Sequence, residues 1–399
     1  MKNVRAKIVV FDDDPTGIQT VHGCLLLTDW SKTYLRQAFE DDVDFFYILT
    51  NTRAMTRIEA EATIRDAMQA VIDVNRDYGY RLYCISRSDS TLRGHFPLET
   101  DIMREVLQRN GIKVWQKTPF CPAFIEVGRI TIDGIHYMKE STGLVPVSQT
   151  EFARDNVFPF HHSDLRQYIE EKGGRAEDYE IVSAKNYEEL NAYTDQLLQV
   201  TADWDGAVVI RSSSSLPKAL ARVKDTDFYA LPHSGAPACF IVGSHVKKTT
   251  AQLHQLLECP TTKSIELSIN DILHHKSSLL QQTLETMRTL SEQGITPVVY
   301  TAREEVRIND ADKRQQLGQE VSDFLVQIVQ HLPFTPSYLV AKGGITSHDI
   351  LCKGLGVKTA RVMGQVMKGV PCIMTDRFPY IIFPGNVGEE DSLRKILFK

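Results

Sequence analysis

Short β-branched or aromatic runs alternate with helical periodicities along nearly the whole chain, and this alternation constrains the fold more than any other feature. KIVVF at 7–11, GCLLLT at 23–28, VDFFYILT at 43–50 and RLYCIS at 81–86 read as strands. Between the last two, residues 57–77 set apolar side chains at 58, 64, 68, 71 and 72, the stripe of an amphipathic helix. Residues 97–109 and 164–171 read as further helices, and 128–138, GRITIDGIHYM, as an antiparallel hairpin around its Asp-Gly. AVVIRSSSS at 207–215 is a strand running into a polar loop. Residues 224–237, KDTDFYALPHSGAP, have no period and read as a linker. Strand–loop–helix units then resume, with helices near 276–293 and 313–331 and a strand at 296–302.

Strands alternating with helices predict parallel sheets covered on both faces. A chain of 399 residues exceeds one comfortable core. The expected architecture is therefore α/β, two domains with mainly parallel sheets, about 1–228 and 238–399, and a ligand cleft between them. Ligands of such sheets bind where strands end and turn into helices, so those turns carry the functional reading.

Composition narrows the partners. Net charge is −6 without a basic block, which argues against nucleic acid or an anionic membrane. The seven cysteines are scattered, with no Cys-x-x-Cys and no zinc spacing, as in a reduced protein. The apolar run near the N-terminus is four residues long, too short for a signal peptide, and no stretch reaches the roughly 20 apolar residues of a membrane span. The expectation is a cytoplasmic protein acting on a small metabolite, with oligomeric state left open.

In the first half the strand-end turns are charged. They are DDDPTG (12–17), TNTR (50–53), SRSDSTLRGH (86–95) and, less distinctly, RSSSS (211–215). Arg53, Arg87 and Arg93 offer forked donors for a carboxylate or phosphate, while Asn51, Asp89 and Ser90 suit hydroxyls. In the second half the turns are glycine-rich: Gly243-Ser244, Gly343-Gly344-Ile345-Thr346 and Gly385-Asn386. Glycines let backbone N–H groups approach a phosphate closely, although no Walker motif or complete dinucleotide fingerprint occurs. Singly, each turn is ordinary loop chemistry; as a set they suggest a hydroxylated acid on one side and a nucleotide on the other. The pairs His161-His162 and His274-His275 read as surface or packing residues.

As a set these turns resemble the four-carbon acid sugar kinase family. The resemblance is carried by Asp13-Asp14-Pro15-Thr16-Gly17 with Gln19-Thr20-Val21, by Thr50–Arg53 and by Ser86–His95. It continues through Gly243-Ser244 with Thr249 and Gln252, Lys342–Ser347 and Phe383–Asn386. It implies an N-terminal substrate domain, a C-terminal nucleotide domain, and ATP-dependent phosphorylation of the terminal hydroxyl of threonate, erythronate or 3-oxotetronate. It further implies ATP contacts at Ser244, at Gly343, Gly344, Ile345 and Thr346, and at Gly385. Two positions depart from the pattern: His245, where relatives often have Cys or another small residue, and Ile345, where many carry an acid.

The mechanistic expectation is that Asp14, or else Asp13, takes the hydroxyl proton while a neighbour helps hold Mg²⁺, whose ligands stay undefined. Mutual repulsion among the three aspartates is expected to raise at least one pKa. Asp12 supports the turn, and Arg53, Arg87 and Arg93 anchor the substrate carboxylate. Two rivals accompany this reading. Asp12, Asp14 and Thr16 spell the Asp-x-Asp-x-Thr of a haloacid-dehalogenase-like phosphatase, and a sugar-acid sensor would use the first-half pocket without turnover.

Overall fold

The buried run Lys7–Phe11 extends to the strand Ala6–Asp12, which pairs in parallel with Phe45–Leu49 on one side and Arg81–Arg87 on the other. The computed structural model describes residues 5–141, 143–232, 234–303 and 311–398, without the side chains of 311–315. The chain divides into two compact units, Met1–Asp225 and Thr226–Lys399. His233 of the expected linker and the outermost residues of both expected domains lie outside the described residues.

In the first unit the strand order is Leu25–Leu27, Phe45–Leu49, Ala6–Asp12, Arg81–Arg87, Val208–Ser212, Thr118–Cys121, Tyr179–Ile181, and every pairing is parallel. Asp12 is in register with Leu49 and Arg87, and Ser212 with Arg87 and Cys121. All the charged turns therefore leave the sheet at the same edge. The helix Arg57–Tyr78 covers one face. It starts at a Thr56–Glu59 capping box and stops at Gly79 with φ +68°. Its buried stripe is Ala60, Ile64, Ala67, Met68, Val71, Ile72 and Val74. Ile58, counted into that stripe from the sequence, is instead 81% exposed, because the 3.6-residue period puts it on the face away from Ala60, Ile64, Ala67 and Val71.

The expected hairpin forms from Arg129–Ile132 and Ile135–Glu140, with Asp133 and Gly134 both at positive φ in the tight turn. A third strand, Gly143–Pro146, which the sequence did not signal, completes a small antiparallel sheet.

The second unit runs Thr262–Leu267, Thr296–Thr301, Cys239–Val242, Leu339–Lys342, Pro379–Phe383, all parallel. It then departs from the expected pattern, because Val370–Met374 and Thr359–Met367 continue the sheet antiparallel. Along Thr359–Met367 burial alternates residue by residue, the pattern of a strand with one covered face. The core behind the glycine turns includes Phe240, Val242, Leu253, Val340, Ile381 and Phe383.

Candidate functional site

Three consecutive aspartates follow the first strand, and the structure gives each a different environment. Asp12 is fully buried; Oδ1 accepts from Arg87 Nη1 at 3.0 Å, and Oδ2 has no hydrogen-bond partner among the described residues. Gly17 packs directly against that carboxylate, since a Cβ there would lie 1.9 Å from Oδ2. Burial, opposed by Arg87 and reinforced by Asp13 and Asp14, lifts the Asp12 pKa to about 7. A carboxylate enclosed in this way has no room to attack a phosphate ester, which leaves the Asp-x-Asp-x-Thr spelling without its nucleophile.

Asp13 is also buried and is held from two sides. Arg53 donates through Nε at 3.1 Å and Nη2 at 2.5 Å, and the Ser88 hydroxyl donates at 2.5 Å. Asp14 is the one that reaches solvent, with 22% of its side chain exposed. Its Oδ1 accepts from the Thr16 amide at 2.8 Å and the Thr16 hydroxyl at 2.5 Å, and Arg53 approaches Oδ2 at 3.4 Å. Burial alone would push the Asp14 carboxyl up, but Arg53 and the Thr16 hydrogen bonds outweigh it and hold the pKa below the usual value. The raised pKa expected from three adjacent aspartates thus falls on Asp12, with burial as its first cause.

The other charged turns converge here. Asn51 adopts the left-handed conformation, φ +53°, which asparagine tolerates better than most residues. There its amide donates to the Asp12 carbonyl, as that of Arg53 does to the Asp13 carbonyl. Arg87 also donates to Ser214 Oγ at 2.8 Å, which brings the 211–215 loop into the cluster. Asp89 accepts from Arg93 Nε at 2.7 Å and from the Thr91 hydroxyl. Burial opposes ionisation of Asp89, yet Arg53 and Arg93 keep its pKa lowered. Arg93 also faces Asp155 at 3.5 Å and stacks on Phe152. The hydroxyl of Ser90 accepts from Arg129 Nη1 at 2.6 Å. Asp13, Asp14, Asn51, Arg53, Arg87, Asp89, Ser90 and Arg93 are therefore assembled at one sheet edge. Arg129 joins them although the sequence reading passed over it. It opens a regular alternating hairpin, and no turn signal marks it.

In the second unit the glycine turns interlock. A Cβ on Gly243 would lie 2.1 Å from Thr346 Oγ1, and one on Gly385 would lie 2.9 Å from Ser244 Oγ. Gly343, at φ +124°, has Ser244 and Thr346 as its nearest neighbours. Thr249 donates to Ser244 Oγ and to the Gly385 carbonyl, both at 3.0 Å. Arg303 braces the Ser244 carbonyl at 2.8 Å. Ser244, Gly343, Thr346 and Gly385 are thus brought together. Gly344 opens the helix Gly344–Asp349, and Ile345 on it points outward, 69% exposed. Beneath the turns lies the buried Lys342, whose Nζ donates to the Pro384 carbonyl at 2.6 Å and sits 3.9 Å over the Phe383 ring. Burial, then the charge of Lys248, lowers the Lys342 pKa to about 7. The sequence placed Lys342 in a motif without a role; here it ties two of the turns together.

Elsewhere, both histidine pairs are exposed. None of the seven cysteines forms a disulfide, and all but Cys352 are buried. Among the described residues no helix is long and apolar enough to cross a membrane.

Two family models match the chain: a sugar-binding N-terminal domain over residues 8–220 and a nucleotide-binding C-terminal domain over 239–393. A D-erythronate kinase of Heliobacterium modesticaldum is 28% identical over 164 residues. That match covers 40% of this chain and 34% of the relative, so the chain spans about a third of the length of the curated relative it matches. A Haemophilus influenzae structure of the DUF1537 family is similar at TM-score 0.68 and 18% identity, over 96% of this chain and 97% of that one. A Salmonella typhimurium LT2 structure gives 0.70 and 17%, over 98% of each chain. At these identities the two structures speak for the fold alone. With one domain model over the charged turns and the other over the glycine turns, the chain belongs to the four-carbon acid sugar kinase family.

Proposed function

We propose that this protein is an ATP-dependent kinase that phosphorylates the terminal hydroxyl of a four-carbon sugar acid such as erythronate, threonate or 3-oxotetronate. In this reading residues 1–228 bind the sugar acid and 238–399 bind the nucleotide, in the cytoplasm. The observation that carries it is the division of chemistry. Ionic, hydroxyl-rich turns fall inside the sugar-binding match, and interlocked glycine turns inside the nucleotide-binding match.

Phosphoryl transfer asks for positioning and charge neutralisation more than for covalent chemistry by the protein. Asp14, ionised and the most exposed of the three aspartates, orients the acceptor hydroxyl and receives its proton. Asp13 fixes Arg53, Asp12 fixes Arg87 and Asp89 fixes Arg93, so these pairs hold the turns in one geometry while Asn51 and Ser90 meet substrate hydroxyls. The backbone of Ser244, Gly343–Thr346 and Gly385 would meet the phosphates: glycines at 243, 343 and 385 let these turns pack closely, and backbone N–H groups at a helix start favour an anion. ATP would bring Mg²⁺, which supplies charge neutralisation when bound. Among the described residues no three His, Cys, Asp or Glu side chains group as a metal site. An ion that keeps its waters and rides on phosphates with one or two carboxylates needs no such group.

A coupled ADP-release screen over four-carbon and branched five-carbon sugar acids and their 3-oxo forms tests this reading. ADP formation that depends on one of these acids is expected. Binding of an acid without ADP formation would replace the kinase by a sensor.

A further inference from the structure

We infer that Arg129 is the residue that reads the carboxylate of the substrate; the inference deepens the sugar-acid reading and rests on it. The three arginines selected from the sequence each already hold a protein carboxylate: Arg53 with Asp13 and Asp14, Arg87 with Asp12, and Arg93 with Asp89 and Asp155. Arg129 stands in the same cluster and makes no ion pair among the described residues. Its Nη1 donates to the Ser90 hydroxyl at 2.6 Å, its guanidinium lies 5.4 Å from the Phe152 ring that Arg93 also stacks on, and its buried Nε has no partner.

The surroundings sharpen the case. Arg129 is mostly buried, and among the strongest charges acting on it Asp89 is opposite, while Arg93, Arg87 and Arg53 repel. A mostly buried cation with an unpartnered donor and like-charged neighbours is relieved by an anion, and a planar guanidinium fits a carboxylate in two-point contact. The arginine is also held stiffly. It opens a strand whose Thr131 donates to His136 Nδ1 at 3.0 Å, while His136 Nε2 donates to the Ser90 carbonyl at 2.8 Å. That arrangement fixes one neutral tautomer, in line with a His136 pKa lowered to about 4, chiefly by burial. Arg129 and Ser90 are thereby tied to one small framework, and the hydroxyl end of the acid is left to Asp14.

The test compares the wild type, Arg129→Gln and Arg129→Lys on erythronate, threonate and their carboxamides, by calorimetric binding and by ADP release. A lost charge-assisted contact predicts acid affinity weaker by roughly 10- to 100-fold in Arg129→Gln and partly restored in Arg129→Lys. KM should rise by that factor with a smaller change in kcat. The wild type should bind each acid more tightly than its carboxamide, and Arg129→Gln should not distinguish them. The acid–carboxamide comparison in the wild type stands even if Arg129→Gln does not fold. Unchanged acid KM in Arg129→Gln, equal wild-type affinity for acid and carboxamide, or no binding of either acid would overturn the inference. Arginine-dependent acid binding without ADP release would instead keep it and remove the kinase reading.

Discussion

The two sets of strand-end turns solve opposite problems. In the first unit the turns are crowded with charge, and the structure keeps them in place by pairing each buried carboxylate with an arginine: Asp12 with Arg87, Asp13 with Arg53, Asp89 with Arg93. In the second unit the turns at Gly243, Gly343 and Gly385 are held close by omitting side chains, and the nearest atoms belong mainly to the Ser244 and Thr346 side chains. Charges in a low-dielectric interior cost several kcal/mol each unless compensated. The first design is therefore sensitive to removal of a single charge, whereas the second is sensitive to addition of a single methyl group.

The largest effect expected from this contrast is at Asp14. Asp14→Asn keeps the shape and the Thr16 hydrogen bond but removes the proton acceptor, and should lower kcat by about 10²–10⁴-fold with little change in the KM for ATP. The pH profile discriminates further. The Asp14 pKa is lowered, so kcat at saturating substrates should stay flat from about pH 7 down to about pH 5. An acidic limb with an apparent pKa near 7, the value to which Asp12 is raised, would show that activity follows ionisation of the buried Asp12–Arg87 pair and not of Asp14. Next in size comes Gly243→Ala. The new Cβ would lie 2.1 Å from Thr346 Oγ1 and 3.1 Å from Leu325, and relief of that overlap should cost about 1–3 kcal/mol of stability. The KM for ATP should rise while that for the sugar acid stays put. Thermal unfolding together with the two KM values checks this, and a rise in the sugar-acid KM alone would break the comparison.

Lys342 is where the second unit borrows the logic of the first. Its pKa falls from 10.5 to about 7 because it is buried. Between about pH 7 and 10 the native state therefore binds fewer protons at this site than the unfolded chain does. Stability should increase as pH rises through that window, and below pH 7 the full penalty of the buried charge is present. The slope from this one group is at most about 1.4 kcal/mol per pH unit. Lys342→Met should flatten that increment in denaturant titrations between pH 7 and 9; an unchanged slope would show that the lysine keeps its proton throughout.

The alternation of strand and helix was readable because burial on both faces demands long apolar runs, and the turns were readable because polar residues and glycines punctuate them. Pairing was less so. The antiparallel Thr359–Met367 and Val370–Met374 hairpin carries β-branched residues like the parallel strands, and local pattern does not say which neighbour a strand chooses. Within the site, sequence located Arg53, Arg87 and Arg93 without showing that protein acids already occupy them. It passed over Arg129 because the only local signal there is a strand. Which of three adjacent aspartates is exposed is likewise set by tertiary packing: Gly17 against Asp12, Arg53 across Asp13.

The smallest predicted effect separates fold from ligand at the glycine turns. Ile345 is 69% exposed on the helix Gly344–Asp349, so it contributes little packing, and Ile345→Asp should leave stability within about 0.5 kcal/mol of the wild type. The same substitution places a carboxylate beside the proposed phosphate turn. If Mg²⁺ arrives on the nucleotide and samples this turn, the Mg²⁺ concentration for half-maximal ADP release should fall a few-fold, with the sugar-acid KM unchanged. A rise instead would mean that the added charge repels the phosphates more than it attracts the cation. The glycine turns would then tolerate neither bulk nor negative charge, and the contrast between the two units would be sharper than the structure alone suggests.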